Sequence, residues 1–305
     1  MKEAPTSLRI LANPSGGRGR VASQLESLRA HARRLGVEIE LSDGAEDLTV
    51  RARRAVDAGV ERLLVAGGDG TLHYAIQALA QSGTALGLLP LGRADDFAAA
   101  LGLPKDLDEA IEVAVNGEVR SVDLGRAGDR WFAGIASVGL DGDACRIANA
   151  DSGRLRGPLV YAIAGLRAWR SYVPIHARVT GTFGSIGEEV LIAAFANSPR
   201  YGGGLRLASA ASIYDGLLDV VIVKRMSALA VLAALPSLIR GKHLKHRAVR
   251  FERGVVVSLD CQPGTPLYAD GELIGLTGQA STKMECIPGA LQVAIASDAA
   301  ASGTD

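Results

Sequence analysis

The stretch Gly67-Gly68-Asp69-Gly70-Thr71 decides how this chain is read. It follows an apolar run, Leu63-Leu64-Val65-Ala66, and opens a segment with helical spacing from Thr71 to Gln81. Strand, glycine turn and helix gather unpaired backbone N–H groups at the positive end of a helix, which suits a phosphate. The three glycines tolerate unusual backbone angles and let a ligand approach the main chain. Asp69 is the odd member, because a carboxylate repels phosphate. It makes sense if a divalent cation lies between them or if Asp69 orients a donor; a tight turn with a helix-capping Asp accounts for the same residues.

Two more loops follow apolar runs. Asn13-Pro14-Ser15-Gly16-Gly17-Arg18-Gly19-Arg20 comes after Leu8–Ala12, and Pro90-Leu91-Gly92-Arg93-Ala94-Asp95-Asp96-Phe97 comes after 85–89. In a parallel sheet, ligands bind outside the carboxyl ends of the strands, so these loops could share one polyphosphate, with Arg18 and Arg20 as counter-charges. Adjacent carboxylates at Asp95 and Asp96 suit Mg²⁺ or a helix cap. A rival pattern, Gly17-x-Gly19-x-x-Ala22 with Glu40 further on, loosely matches a dinucleotide fingerprint but leaves 67–71 unexplained. There is no Walker A loop.

Apolar runs and helical patterns alternate to about residue 120, with helices expected over 21–35, 47–58, 95–101 and 108–115. This predicts an α/β N-terminal domain with a mostly parallel sheet. Beyond it, short runs at 131–136, 175–180, 190–196, 219–223, 255–259 and 284–287 predict a mainly antiparallel β C-terminal domain, with helices only at 159–172 and 227–240. The expected domains are 1–123 for nucleotide and 124–296 for substrate, the last strand returning to the first domain or not, with a disordered tail at 297–305. The cleft between the domains is the default active site.

Composition narrows the classes. With 48% hydrophobic residues the chain can bury a large core, and 33 basic against 33 acidic residues argue against coating nucleic acid. Cys145, Cys261 and Cys286 form no metal-spaced set. The first residues show no apolar signal segment. Ala228–Ile239 is too short to span a bilayer. The basic run after it (Arg240, Lys242, His243, Lys245, His246, Arg247, Arg250) suits anionic headgroups or a solvated face.

In the second half, Asp270-Gly271-Glu272 reads as a hairpin turn or as the carboxylate that takes a proton from an acceptor hydroxyl. Tyr214-Asp215-Gly216-Leu217 reads as a turn or as a cation site completed by main-chain carbonyls.

These segments together resemble the diacylglycerol kinase catalytic-domain family of soluble lipid kinases, related to sphingosine kinases. The likeness rests on Asn13-Pro14-x-Gly16-Gly17, the 67–71 loop, Pro90-Leu91-Gly92 with Asp96-Phe97-Ala98, Leu101-Gly102-Leu103-Pro104, Asn197 with Gly202-Gly203-Gly204, Asp215-Gly216 and Asp270-Gly271-Glu272. It implies an ATP- and Mg²⁺-dependent transfer of phosphate to a lipid hydroxyl. Nucleotide would be held by Asn13, Gly16, Gly17, Arg18, Gly67, Gly68, Asp69, Gly70, Thr71, Gly92 and Asp96. Asp69, Asp96 and Asp123 would arrange Mg²⁺, while Asp215 with the carbonyls of Ser212 and Leu217 would hold a structural Mg²⁺. Asp270 would be the base, supported by Glu272. The implied setting is cytoplasmic, with a lipid substrate met at the inner membrane face, no nucleic acid, and a homodimer left open.

The chain departs from the family pattern Gly-Thr-x-Asn-Asp-Phe-Ala-Arg at Arg93, Asp95 and Ala99, and carries His73-Tyr74 where Asn-Glu is common. An added carboxylate beside polyphosphate should weaken ATP binding unless a cation such as Arg93 compensates. The alternatives are therefore a catalytically weakened nucleotide- or lipid-binding homologue, or a kinase of a soluble substrate such as NAD.

Overall fold

The structure, a computed structural model, describes residues 7–140 and 172–297, with 142, 144, 147, 163, 164 and 167–169 between them. The helix expected over 159–172 and the tail from 298 fall mostly outside the described residues. The chain divides into two compact units, Met1–Val122 with Gly289–Asp305, and Asp123–Pro288.

In the first unit, four apolar runs form β1 (Leu8–Ala12), β2 (Ile39–Leu41), β3 (Arg62–Gly67) and β4 (Ala85–Pro90). All pair in parallel, in the order β2-β1-β3-β4, with Ile10 between Ile39 and Leu64, and Leu64 beside Gly87. The end of the strand Thr282–Ile295 runs alongside, Val293 facing Leu86. β3 and β4 are buried almost throughout, which is why they read as continuous apolar runs rather than alternating ones. The helices α1 (Arg20–Ser23), α2 (Leu25–Leu35), α3 (Ala45–Asp57), α4 (Asp69–Leu79), α5 (Asp96–Ala100) and α6 (Leu107–Asn116) complete the unit. Leu28 and Ala32 of α2 and Ile111 and Ala114 of α6 join Ile10, Leu64 and Leu89 in its core. The single helix expected over 21–35 is broken at Gln24 and preceded by a 3₁₀ turn, Gly16–Gly19.

From β1 the chain goes to β2 on one side, then to β3 on the other. The strand order therefore reverses between β1 and β3. At such a reversal the loops leaving the two strands diverge and open a crevice at their carboxyl ends. The loops at 13–19 and 67–71 are the two that leave there.

The second unit is antiparallel. Its strands are the later part of β5 (Glu118–Ala127), then β6 (Arg130–Phe132), β7 (Ile135–Gly139), β8 (Ile175–Gly181), β9 (Gly184–Ala196) and β10 (Leu218–Lys224). After helix α7 (Ala228–Ile239) come β11 (Val249–Gly254), β12 (Val256–Cys261), β13 (Pro266–Ala269), β14 (Glu272–Leu276) and β15 (Thr282–Ile295). β9 is central, pairing with β7, β8 and β10. It feeds two cores: Val190, Ala193 and Phe195 join Val220 and Leu259, while Leu191, Ala194 and Ala196 join Leu207 and Val221. Three expectations are corrected in detail. The run 131–136 is two strands separated by a turn at Ala133 and Gly134; β11, β13 and β14 are additional to the expected runs; and 284–287 is a fragment of the fourteen-residue β15.

Candidate functional site

At the crevice of the first unit, Asn13 stitches the two loops. Its backbone N–H donates to Ala66 O at 3.3 Å, and its Nδ2 donates to Thr71 Oγ1 at 3.4 Å. Its Oδ1 accepts from Ser15 N and Oγ at 3.2 and 2.7 Å, which turns the chain into the 3₁₀ segment. Glycine is required here by contact rather than by flexibility alone. A Cβ on Gly17 (φ +59°) would sit 2.0 Å from Leu91 O, and one on Gly68 would sit 2.7 Å from Gly92 Cα. The loops after β1, β3 and β4 are therefore in backbone contact with one another, forming a floor that side chains would fill.

Asp69 opens α4, yet its carboxylate serves a different helix. Oδ2 accepts from Asp96 N and Oδ1 from Phe97 N, both at 3.2 Å, so Asp69 ties the start of α5 to the end of β3. Asp95 occupies the left-handed region (φ +51°), which Asp and Asn tolerate better than most residues, and its Oδ1 accepts from Gly92 N at 2.9 Å. Arg20 donates from Nη1 to Gly92 O. Burial, then the charges of Asp96 and Asp95, push Asp69 up to about 7. Burial pushes Asp95 up to about 6, opposed by the Gly92 N–H, Arg20 and Lys105. Arg20 and Lys105 thus supply positive charge toward Asp95. The Arg18 side chain lies outside the described part.

Three acidic side chains in one partly covered loop cluster fit a cation. Among the described residues, however, no three His, Cys, Asp or Glu side chains converge as a ligand cage.

The second unit gathers the other candidates around Asp123 and Asn197. Asp123 Oδ2 accepts from Gly216 N at 2.7 Å, and Asp215 Oδ1 accepts from Leu217 N at 3.2 Å, while Ser212 Oγ accepts from Tyr214 N at 3.3 Å. The buried Asn197 donates from Nδ2 to both Asp123 O and Ala133 O at 2.9 Å, and its N–H donates to Gly134 O at 2.8 Å. Asp270 then clamps the same turn: Oδ2 accepts from Ala133 N at 2.9 Å, and Oδ1 from Gly134 N and Ile135 N at 2.7 and 3.2 Å. Asp270 (φ +52°) and Gly271 (φ +85°) form the two-residue loop joining β13 to β14, where both central residues of the tight turn need positive φ. Glu272 begins β14, opposite Ala269.

Reasoning from sequence missed Asp219 and Arg253. They face each other across β10 and β11, and Arg253 Nε donates to Asp219 Oδ1 at 2.8 Å while its Nη1 lies 3.9 Å from Asp215 Oδ2. Asp219 is 1% exposed, and its Oδ2 has no hydrogen-bond partner. Burial, with the charge of Asp215, pushes it up to about 6 against the pull of Arg253. The one available signal was a carboxylate inside the apolar run Leu218-Asp219-Val220-Val221. An orphaned buried carboxylate oxygen beside Asp215 marks an excess of negative charge, which fits a cation held by Asp215 and main-chain carbonyls. The rival dinucleotide pattern loses its acidic partner, because Glu40 pairs with Arg9 at 3.4 Å and Arg51 at 3.7 Å.

The diacylglycerol kinase catalytic domain matches residues 7–127, and the YegS C-terminal NAD kinase beta sandwich-like domain matches 134–295. A diacylglycerol kinase of Mycobacterium tuberculosis is 32% identical over 296 residues, covering 93% of each chain. This chain belongs to the diacylglycerol kinase catalytic-domain family. A probable YegS-like lipid kinase of Chromohalobacter salexigens is 35% identical over 226 residues, covering 72% of each. The crystal structure of a putative diacylglycerol kinase from Bacillus anthracis has the same fold, with a TM-score of 0.78 over 98% of this chain and 100% of that one at 19% identity. In this lipid-kinase family the expected α/β unit and antiparallel β unit are both present, and no described helix is long and apolar enough to cross a membrane.

Proposed function

We propose that the protein transfers the γ-phosphate of ATP to the hydroxyl of a diacylglycerol-like lipid, with Mg²⁺. The observation that carries this is the floor of touching backbones and side-chain-free glycines at the strand-order reversal, with Asp69 and Asp96 beside it. Gly16, Gly17 and the 67–71 loop would receive the nucleotide phosphates, with Asn13 and Thr71 holding the two loops in register. Mg²⁺ supplies charge neutralisation as the phosphate transfers, and Asp69 and Asp96 of the first unit would orient it. In the second unit, three N–H bonds hold the Asp270 carboxylate in one orientation, as a base on an acceptor hydroxyl must be held. Glu272 follows on the same hairpin as its support. Asp215, with the carbonyls of Ser212 and Leu217, would hold a second, structural cation.

Catalysis of this kind is mostly positioning and charge neutralisation. The test is transfer from labelled ATP with Mg²⁺ to a panel of lipids in mixed micelles, comparing the wild type with Asp270→Asn. Transfer to a glycerolipid that the substitution abolishes supports the reading. The extra carboxylate at Asp95 favours one alternative, a homologue that binds nucleotide but transfers poorly. ATP bound by both proteins with transfer by neither would select it.

A further inference from the structure

Among the described helices, α7 alone has no charged residue: its sequence is Ala-Leu-Ala-Val-Leu-Ala-Ala-Leu-Pro-Ser-Leu-Ile. A helix that is apolar all round is normally buried all round. This one is not. Val231 and Leu238 pack on the core around Leu207 and Val221. Positions 229, 232, 233, 236 and 240, spaced by three and four, share another face, and every one of them is exposed. Leu229 is 79% exposed, Leu232 43% and Ile239 42%. Where a surface helix ordinarily turns polar residues outward, α7 turns leucine, proline and isoleucine.

What borders that face is basic. Leu232, Pro236, Ile239 and Arg240 line a shallow recess of ≈ 250 Å³, apolar within and carrying a guanidinium. The helix ends at Gly241 (φ +67°), whose N–H donates to Leu238 O while the Lys242 N–H donates to Ser237 O. Ser209 Oγ bonds Gly241 O at 3.0 Å, and the buried His243 ring lies 2.8 Å from Leu207 O, so the turn beyond the helix is anchored to the unit. From it Lys242, Lys245 and Arg247 are exposed; with Arg240 they make no ion pair to a described residue, whereas Lys224 and Arg225 are paired with Glu188 and Glu189.

We infer that this face of α7 is a membrane-docking surface, seating its leucines among the acyl chains of an anionic bilayer while Arg240, Lys242, Lys245 and Arg247 meet the headgroup phosphates. Twelve residues span about 18 Å as a helix, well short of a bilayer core, so α7 lies in the interface rather than crossing it. Charge selects the occupant. A second copy of this chain would bring the same basic fringe against this one, whereas an anionic lipid surface complements both the apolar stripe and its border. The inference goes beyond phosphotransfer and requires no catalytic activity.

The experiment is co-sedimentation of the full chain with vesicles of phosphatidylcholine alone or of phosphatidylcholine and phosphatidylglycerol in equal parts. The wild type should partition onto the anionic vesicles at least about tenfold better, and lose that advantage in high salt. Leu229→Gln/Leu232→Gln should weaken anionic-vesicle binding about tenfold or more. Lys242→Gln/Lys245→Gln/Arg247→Gln should do so as well, with the thermal midpoint of both variants near that of the wild type. No partitioning by the wild type overturns the inference, as does unchanged binding by the charge variant. A wild-type dimer that the leucine variant dissociates, without any vesicle binding, overturns it in favour of self-association. Because the readout is partitioning, loss of kinase activity has no bearing on it.

Discussion

Asp69 and Asp270 are both carboxylates that hold a loop by accepting backbone N–H groups, and they do so with different numbers of donors and in different units. Asp270 accepts three such bonds, one at 2.7 Å, on a two-residue turn. Asp69 accepts two, both at 3.2 Å, with Asp95 and Asp96 beside it, and is pushed up to about 7. The first is held by three donors from one turn. The second is a strained charge whose cost a cation would remove. In one chain, the same hydrogen-bonding device builds a fixed group in one unit and, in the other, a group that burial and its acidic neighbours push toward the neutral form.

The largest expected break in this comparison is Asp270→Asn. Phosphotransfer to lipid should fall by about 10²–10⁴-fold, measured as initial rate at saturating ATP. The thermal midpoint should also fall, because an amide cannot accept from all three N–H groups. Next is Gly17→Ala in the other unit. With a Cβ 2.0 Å from Leu91 O and φ at +59°, it should cost about 2 kcal/mol or more of stability, read by thermal unfolding. It should also abolish nucleotide binding, read by calorimetry.

The third contrast is pH. Burial raises Asp69 in the folded protein, so its contribution to stability is full below about 4 and is lost as pH rises through about 7. In nucleotide- and metal-free protein, Asp69→Asn should therefore gain in thermal midpoint relative to the wild type between pH 5.5 and 8. Equal differences at the two pH values would sink the idea that Asp69 carries that cost. Mg²⁺ with nucleotide should narrow the gap at pH 8. The smallest effect is Asp95→Asn, which removes one of the charges raising Asp69 and restores the family's residue. ATP affinity should rise a fewfold, and unchanged affinity would show that Arg20 and Lys105 already compensate.

Much of the first unit was legible because its signals are local. A buried parallel strand is a continuous apolar run, and glycines crowd wherever backbones touch, as at Gly17, Gly68 and Gly92. The role of Asp69 was only half legible: its place in the loop could be read, but its service to α5, twenty-seven residues on, could not. The second unit depends on cross-strand register, which sequence spacing does not reveal. Asp219 and Arg253 meet because β10 and β11 pair antiparallel, and Asn197 matters because it joins Asp123 to the turn that Asp270 clamps. β15 read as a four-residue run because Pro288 and Gly289 interrupt its pattern. The split between β6 and β7 was hidden by unbroken hydrophobicity through Ala133.

That long strand has a consequence for biosynthesis. Residues before Pro288 pair with β12, and Val293 lies against Leu86 of β4. The whole of the second unit is therefore translated before the ribosome delivers the strand that lines β4. A nascent chain holding only the first 122 residues would carry β4 with that side uncovered. Completion of the first unit is thereby timed by the making of the second, and a chain stalled before Gly289 would leave β4 open to pairing with another molecule.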